Sequence, residues 1–143
     1  MMGVIFSIVA GAAMSVQGVM NTRLGERIGT MEANVIVQCT AAGLSLLALL
    51  CYRTGSFAAL GEVPLLYRFG GVLGLVITVT VMLGIGRLSP TVAISVILVS
   101  QLLVAALIDA FGLMGSEKAA FGWTKFVGLA LMIGGVLLFQ RQK

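Results

Sequence analysis

Gln101 and Asp109 stand inside VSQLLVAALIDAFGLMG, residues 99–115, a run that is otherwise almost wholly apolar. A carboxamide both donates and accepts hydrogen bonds, whereas a carboxylate accepts them, binds a cation or takes up a proton. The two are eight residues apart, just over two helical turns, so both point to one side of a helix. Thr91, Ser95, Leu98 and Ala105 share that side. Further amides recur at helical spacing, Gln17 with Asn21 and Asn34 with Gln38, and a Gly70, Gly74, Thr78 series adds a hydroxyl. An amide left unbonded in hydrocarbon costs several kcal/mol, so these side chains must face protein or a wet cavity. The candidate substrate-binding set is therefore Gln17, Asn21, Gln38, Thr78, Ser95 and Gln101, with Asp109 as the candidate titrating group. Each has a plainer reading. A lone amide often only bonds a neighbouring helix, contributing about 0.6 kcal/mol on average. Asp109, for its part, could sit at the membrane interface, paired with Lys118 or satisfied by water.

Other chemistries find no residues. The chain has no histidine, so neither a histidine-based acid–base pair nor a histidine metal site can be built. Cys39 and Cys51 fall on one predicted helix about 18 Å apart, too far to bridge within a chain; they read as packing residues. With no polar thiol and no close carboxylate pair within a span, no catalytic residue and no cofactor is expected, and an enzyme is the least favoured class.

The elements that position the polar residues follow from composition. Of 143 residues, 59% are hydrophobic and only 10% charged, and the mean hydropathy is +1.13, which places the chain in a bilayer rather than in water. A hydrocarbon core about 30 Å thick takes roughly 20 apolar residues per helix. Five stretches qualify, about 3–21, 31–52, 66–86, 91–111 and 123–139, giving an all-α integral membrane protein with a single transmembrane domain over 1–143. The N-terminus has no Lys or Arg ahead of its apolar run and no small-x-small site, which argues for a retained first span over a cleaved signal peptide. Thr30 is placed to cap the second helix, with Glu32 in its first turn. Ser89 and Pro90 form a cap and first helical residue, making the third and fourth spans a tight hairpin. Trp123 suits an interfacial belt.

Along the first span, Ser7, Gly11, Ser15 and Gly18 form a small-residue stripe of the kind that lets helices approach closely. Met14, Gln17 and Asn21 line the arc beside it, and Ile5, Val9, Ala12 and Val16 make an apolar opposite face. In the second span Ala41 and Ser45 continue the Asn34 and Gln38 row. The last span has no polar interior residue; Gly128, Gly134 and Gly135 predict tight packing and a structural role.

The formal net charge is +4, but no Lys/Arg run exists, so the basic residues read as span-end anchors and not as a nucleic-acid surface. Arg53, Arg68, Lys118 and Lys125 fall on the side of the N-terminus; Arg23, Arg27, Arg87, Arg141 and Lys143 fall on the other. Orientation follows the Lys/Arg excess on the cytoplasmic side, and four against five is nearly none. Balanced ends predict a chain that inserts both ways and assembles as an antiparallel homodimer, or one oriented by a partner. The competing reading is a single orientation set by a small charge difference or by helix hydrophobicity.

GVMNTRLGERIG after the first span, RFGGVLG opening the third, and SQLLVAALIDAFGLMG running into WTKFVGLALMIGGVLLF resemble the YdcZ-like five-helix family of the drug/metabolite transporter superfamily. The resemblance covers essentially the whole chain, and its most specific part is the fourth span. It implies a bacterial inner-membrane half-transporter that pairs antiparallel with itself or with a sister protein, giving ten helices. The small multidrug exporters of that superfamily carry a membrane glutamate in the first helix; the matching stretch here, MSVQGVMN, offers Gln17, a neutral amide that does not exchange protons. The leading expectation is a transporter of a small neutral or zwitterionic organic solute, working by alternating access through a cavity at an antiparallel interface. The alternatives are a non-transporting assembly or regulatory subunit and an obligate half of a heterodimeric transporter. A passive channel is disfavoured, because neither a charged ring nor a filter-like loop is visible.

Overall fold

The computed structural model describes residues 1–118 and 122–141; Lys143, counted above among the basic anchors, lies outside them. Among the described residues the secondary structure is helical throughout, and five helices are long and apolar enough to cross a membrane. We number the α-helices α1 (Met2–Ile28), α2 (Thr30–Cys51), a one-turn α3 (Leu65–Arg68), α4 (Gly70–Arg87), α5 (Pro90–Phe111) and α6 (Trp123–Gln140). The chain divides into two compact units, Met1–Arg87 and Leu88–Lys143, each described by itself below.

In the first unit α1, α2 and α4 pack against one another. The 27 residues of α1 extend about 40 Å, well past the apolar stretch read from sequence. The extra turns carry Arg23, Glu26 and Arg27, with Arg23 donating to Glu26 at 2.9 Å. Gly25 does not interrupt this helix and lies within it beside Met82, Thr30 and Ala33. The break comes at Gly29 alone, with φ +103° and ψ 145°, a region open essentially to glycine. Gly29 also occupies the cap position expected of Thr30, which becomes the first helical residue and makes no capping bond. A one-residue connection leaves no room for a side-chain cap ahead of it.

The third expected span is broken: α3 ends at Arg68, with Phe69 as its C-cap, and α4 begins at Gly70. Ahead of it, Phe57–Glu62 forms a 3-10 turn whose Ser56 hydroxyl accepts from Ala58 N at 3.2 Å. Arg68 folds back on this loop, its guanidinium donating to Val63 O at 2.7 and 3.1 Å and to Gly61 O at 3.2 Å. It is a loop clamp as well as a span-end charge. The small core of this unit joins Gly18 and Thr22 of α1, Ala33 and Asn34 of α2, and Met82 and Ile85 of α4.

The second unit is the pair α5 and α6. Ser89 accepts from Val92 N at 3.4 Å and Pro90 takes the first helical position, as expected. Gly112, with φ +63°, closes α5 in the left-handed conformation that glycine adopts without strain. The Ser116 hydroxyl then donates its one proton to Leu113 O at 2.8 Å, with Ile108 O at 3.3 Å as the more distant acceptor.

Candidate functional site

Hydroxyls and amides behave differently in these helices. Ser7, Ser15, Thr22, Thr40, Thr78, Thr80 and Ser95 each donate to the carbonyl one turn back, at 2.7–3.0 Å. A hydroxyl so bonded has placed its only proton and is at ease in hydrocarbon. An amide has two donors and an acceptor, and its own helix cannot satisfy them. Among the described residues Gln17, Asn21, Asn34, Gln38 and Gln101 make no side-chain hydrogen bond at all. Of these, Gln17, Asn21 and Gln101 are open to a partner from outside the chain, whereas Asn34 is enclosed.

Their places differ. Gln17 is exposed and Asn21 half-buried, and both line a shallow open groove along α1 with Val9, Ala12, Val16 and Met20. That groove joins the amide edge to the face read as wholly apolar. On the inner side of the same unit, Gln38 reaches α4: its Nε2 lies 3.8 Å from where a Cβ on Gly74 would stand. Thr78 bonds back to the Gly74 carbonyl at 2.8 Å, so Gln38, Gly74 and Thr78 form one half-buried group. Asn34, one turn from Gln38, is only 2% exposed, and its Oδ1 has no partner. Sequence reasoning put Asn34 in the polar row yet not in the site. Its spacing from Gln38 was the available signal, but burial is what distinguishes it.

In the second unit Ser95 is half-buried and Gln101 exposed on α5. Asp109 is separated from Gln101: it lines a cavity of about 310 Å³ between α5 and α6 together with Lys125, and Gln101 does not. An eight-residue step rotates about 80° around a helix, enough to put the two on adjoining faces. Asp109 has no ion pair or hydrogen bond among the described residues, with Lys118 or otherwise. The Lys118 stem packs instead near Gly112. Cys39 and Cys51 are free and exposed on α2.

Glycine spacing proved a poor guide to contact. Gly18 is buried against Val81 and Ile85, whereas a Cβ on Gly11, Gly128, Gly134 or Gly135 would meet nothing within 4 Å. The tight packing expected of the α6 glycines is therefore not made within the described chain. The small stripe of α1 is used only in its C-terminal half, where it continues through Thr22 and Gly25.

Residues 2–138 match the family described as "Putative inner membrane exporter, YdcZ". No curated protein and no solved structure matches the chain.

Proposed function

From the premise that this chain belongs to the YdcZ family of inner-membrane transport proteins, we propose that two copies pair antiparallel and carry a small neutral or zwitterionic organic solute between them. The carrying observation is the set of unbonded amides. Gln17 and Gln101 are exposed on membrane-spanning helices and Asn21 is half-exposed, none with a hydrogen bond. Hydrocarbon would charge several kcal/mol for each, so a second protein surface or a wet cavity must cover them. A solute path at a copy-to-copy interface supplies both. In this reading Gln17, Asn21 and Gln101 bond the solute, while Gln38, Thr78 and Ser95 stand behind them. Thr78 and Ser95 have placed their protons and act as acceptors. Amides match a solute that both donates and accepts, and they provide no counter-charge for a bare cation. Alternating access would rock one protomer against the other around this fixed site.

The test begins with a thermal-shift screen of the detergent-purified protein against polar metabolites. A ligand at a hundred times its Kd adds about 2.7 kcal/mol to the folded state. A hit is then assayed by counterflow in proteoliposomes. Gln101→Ala should abolish counterflow while leaving the dimer intact by crosslinking. If it weakens the dimer and leaves counterflow per dimer unchanged, the amides are helix glue and the solute path lies elsewhere.

A further inference from the structure

The α5–α6 cavity has a polar end and an apolar body. Asp109 lies two residues before the end of α5 and Lys125 two residues after the start of α6. Seven residues deeper on each helix, about 10 Å along the axis, stand Leu102 and Met132. The charges are thus at the depth of a span end, and the trough below them runs parallel to the helices. Its volume of about 310 Å³ falls in the ordinary range of ligand sites, which are mostly apolar with a few placed polar groups.

Two features of the trough are unfavourable for the protein alone. Asp109 occupies the last turn of α5, where the helix dipole repels an anion by about 0.3–1 kcal/mol, and it is half-buried without an ion pair or hydrogen bond. Gly128 sits inside α6, where glycine is about 1 kcal/mol worse than alanine, and no neighbour requires it: an added Cβ would meet nothing within 4 Å. An unpaired acid at the mouth asks for a cation. A bare helix position on the wall keeps the trough open.

We propose that this cleft binds a membrane phospholipid whose headgroup carries a primary ammonium beside its phosphate, a phosphatidylethanolamine. The ammonium meets Asp109, the phosphate adds to the interaction Lys125 already makes, and an acyl chain lies over Gly128 along Leu102 and Met132. The trough runs along the helices from an acid and a base at span-end depth into an apolar body, which is the shape and polarity of a lipid. The site is independent of the transport reading, and its test reads no transport.

Trp123, the single tryptophan, stands two residues from Lys125 on the other side of α6, so a lipid held at the mouth lies within about one helix diameter, 10–12 Å, of it. The protein is reconstituted in phosphatidylcholine vesicles with increasing fractions of lipid bearing a nitroxide high on one chain. The headgroup is ethanolamine, its mono-, di- or trimethylated forms, or glycerol. Ethanolamine lipid should quench Trp123 at a mole fraction at least about three-fold lower than choline lipid, with the preference falling as N–H groups are replaced. Asp109→Asn should erase the ethanolamine preference, and Gly128→Leu should reduce quenching by every lipid to the bulk level. Equal quenching by ethanolamine and choline lipids in the wild-type protein would overturn the proposal, as would a preference for the anionic glycerol lipid. The headgroup series needs no variant, so a variant that fails to fold does not remove the test.

Discussion

Gly11 and Gly18 occupy the same stripe of α1, yet the structure gives them opposite neighbourhoods, and replacing each with leucine separates protomer folding from assembly. A Cβ on Gly18 would lie 2.9 Å from Ile85 Cδ1 and 3.2 Å from Val81 Cγ1. Ile85 is itself buried, so it cannot simply swing into lipid. Leucine brings three further carbons into that contact, and overpacking of this degree costs about 3 kcal/mol. Leucine's better helix propensity returns up to about 1 kcal/mol. The net loss for Gly18→Leu is about 2 kcal/mol, roughly a thirty-fold shift toward the unfolded state. Around Gly11 there is nothing within 4 Å, so Gly11→Leu should leave the protomer unchanged or up to about 1 kcal/mol more stable. If the uncovered half of the stripe is where a second copy approaches, the same change should reduce dimerisation. Helicity followed through an SDS titration measures the first quantity, and energy transfer between labelled copies in liposomes measures the second. Equal destabilisation of the protomer by both substitutions would refute the assignment of α1 faces. Unchanged energy transfer for Gly11→Leu would remove the stripe from the interface.

Two further substitutions probe the three-helix unit. Gly29→Ala places a Cβ against the Glu32 carboxylate at φ +103° and should cost about 1–3 kcal/mol; adding Glu32→Ala should recover the steric part and not the backbone part, as thermal unfolding monitored by circular dichroism would show. Asn34→Leu replaces a buried amide whose Oδ1 has no partner with an apolar group of similar shape, and should raise stability by about 1–3 kcal/mol. A loss of stability in the same melt would mean that Asn34 is bonded in the working protein.

Features set by neighbouring residues could be read before the structure. Ser89 and Pro90 start α5 because a hydroxyl acceptor and a fixed φ act within one turn, and the ends of α5 and α6 lie within one residue of the expected ones. The five apolar stretches announce themselves because hydrocarbon demands length and little else. Elements decided by packing were not visible. Gly25 and Gly29 look alike in sequence, but only Gly29 has a positive φ, while Gly25 is held in the helix beside Met82 and Ala33. Nothing in LLYRFGGVLG announces that the helix stops at Phe69. In the site, residue type singled out the amides, and Gln17, Asn21 and Gln101 are side chains without a hydrogen bond among the described residues. Their grouping depended on faces: Gln38 and Thr78 converge on Gly74, whereas Asp109 turns away from Gln101 into the α5–α6 cleft.

The antiparallel pair is the claim on which the solute path depends, and it is tested most directly by topology. Lys143 is fused in turn to a reporter active only in the cytoplasm and to one active only outside it. The basic residues divide four against five between the two sides, so no strong orienting bias acts on insertion, and both fusions should be active at matched expression. Activity of one fusion alone would contradict the antiparallel homodimer and leave the uncovered amides to a different, oppositely inserted protein.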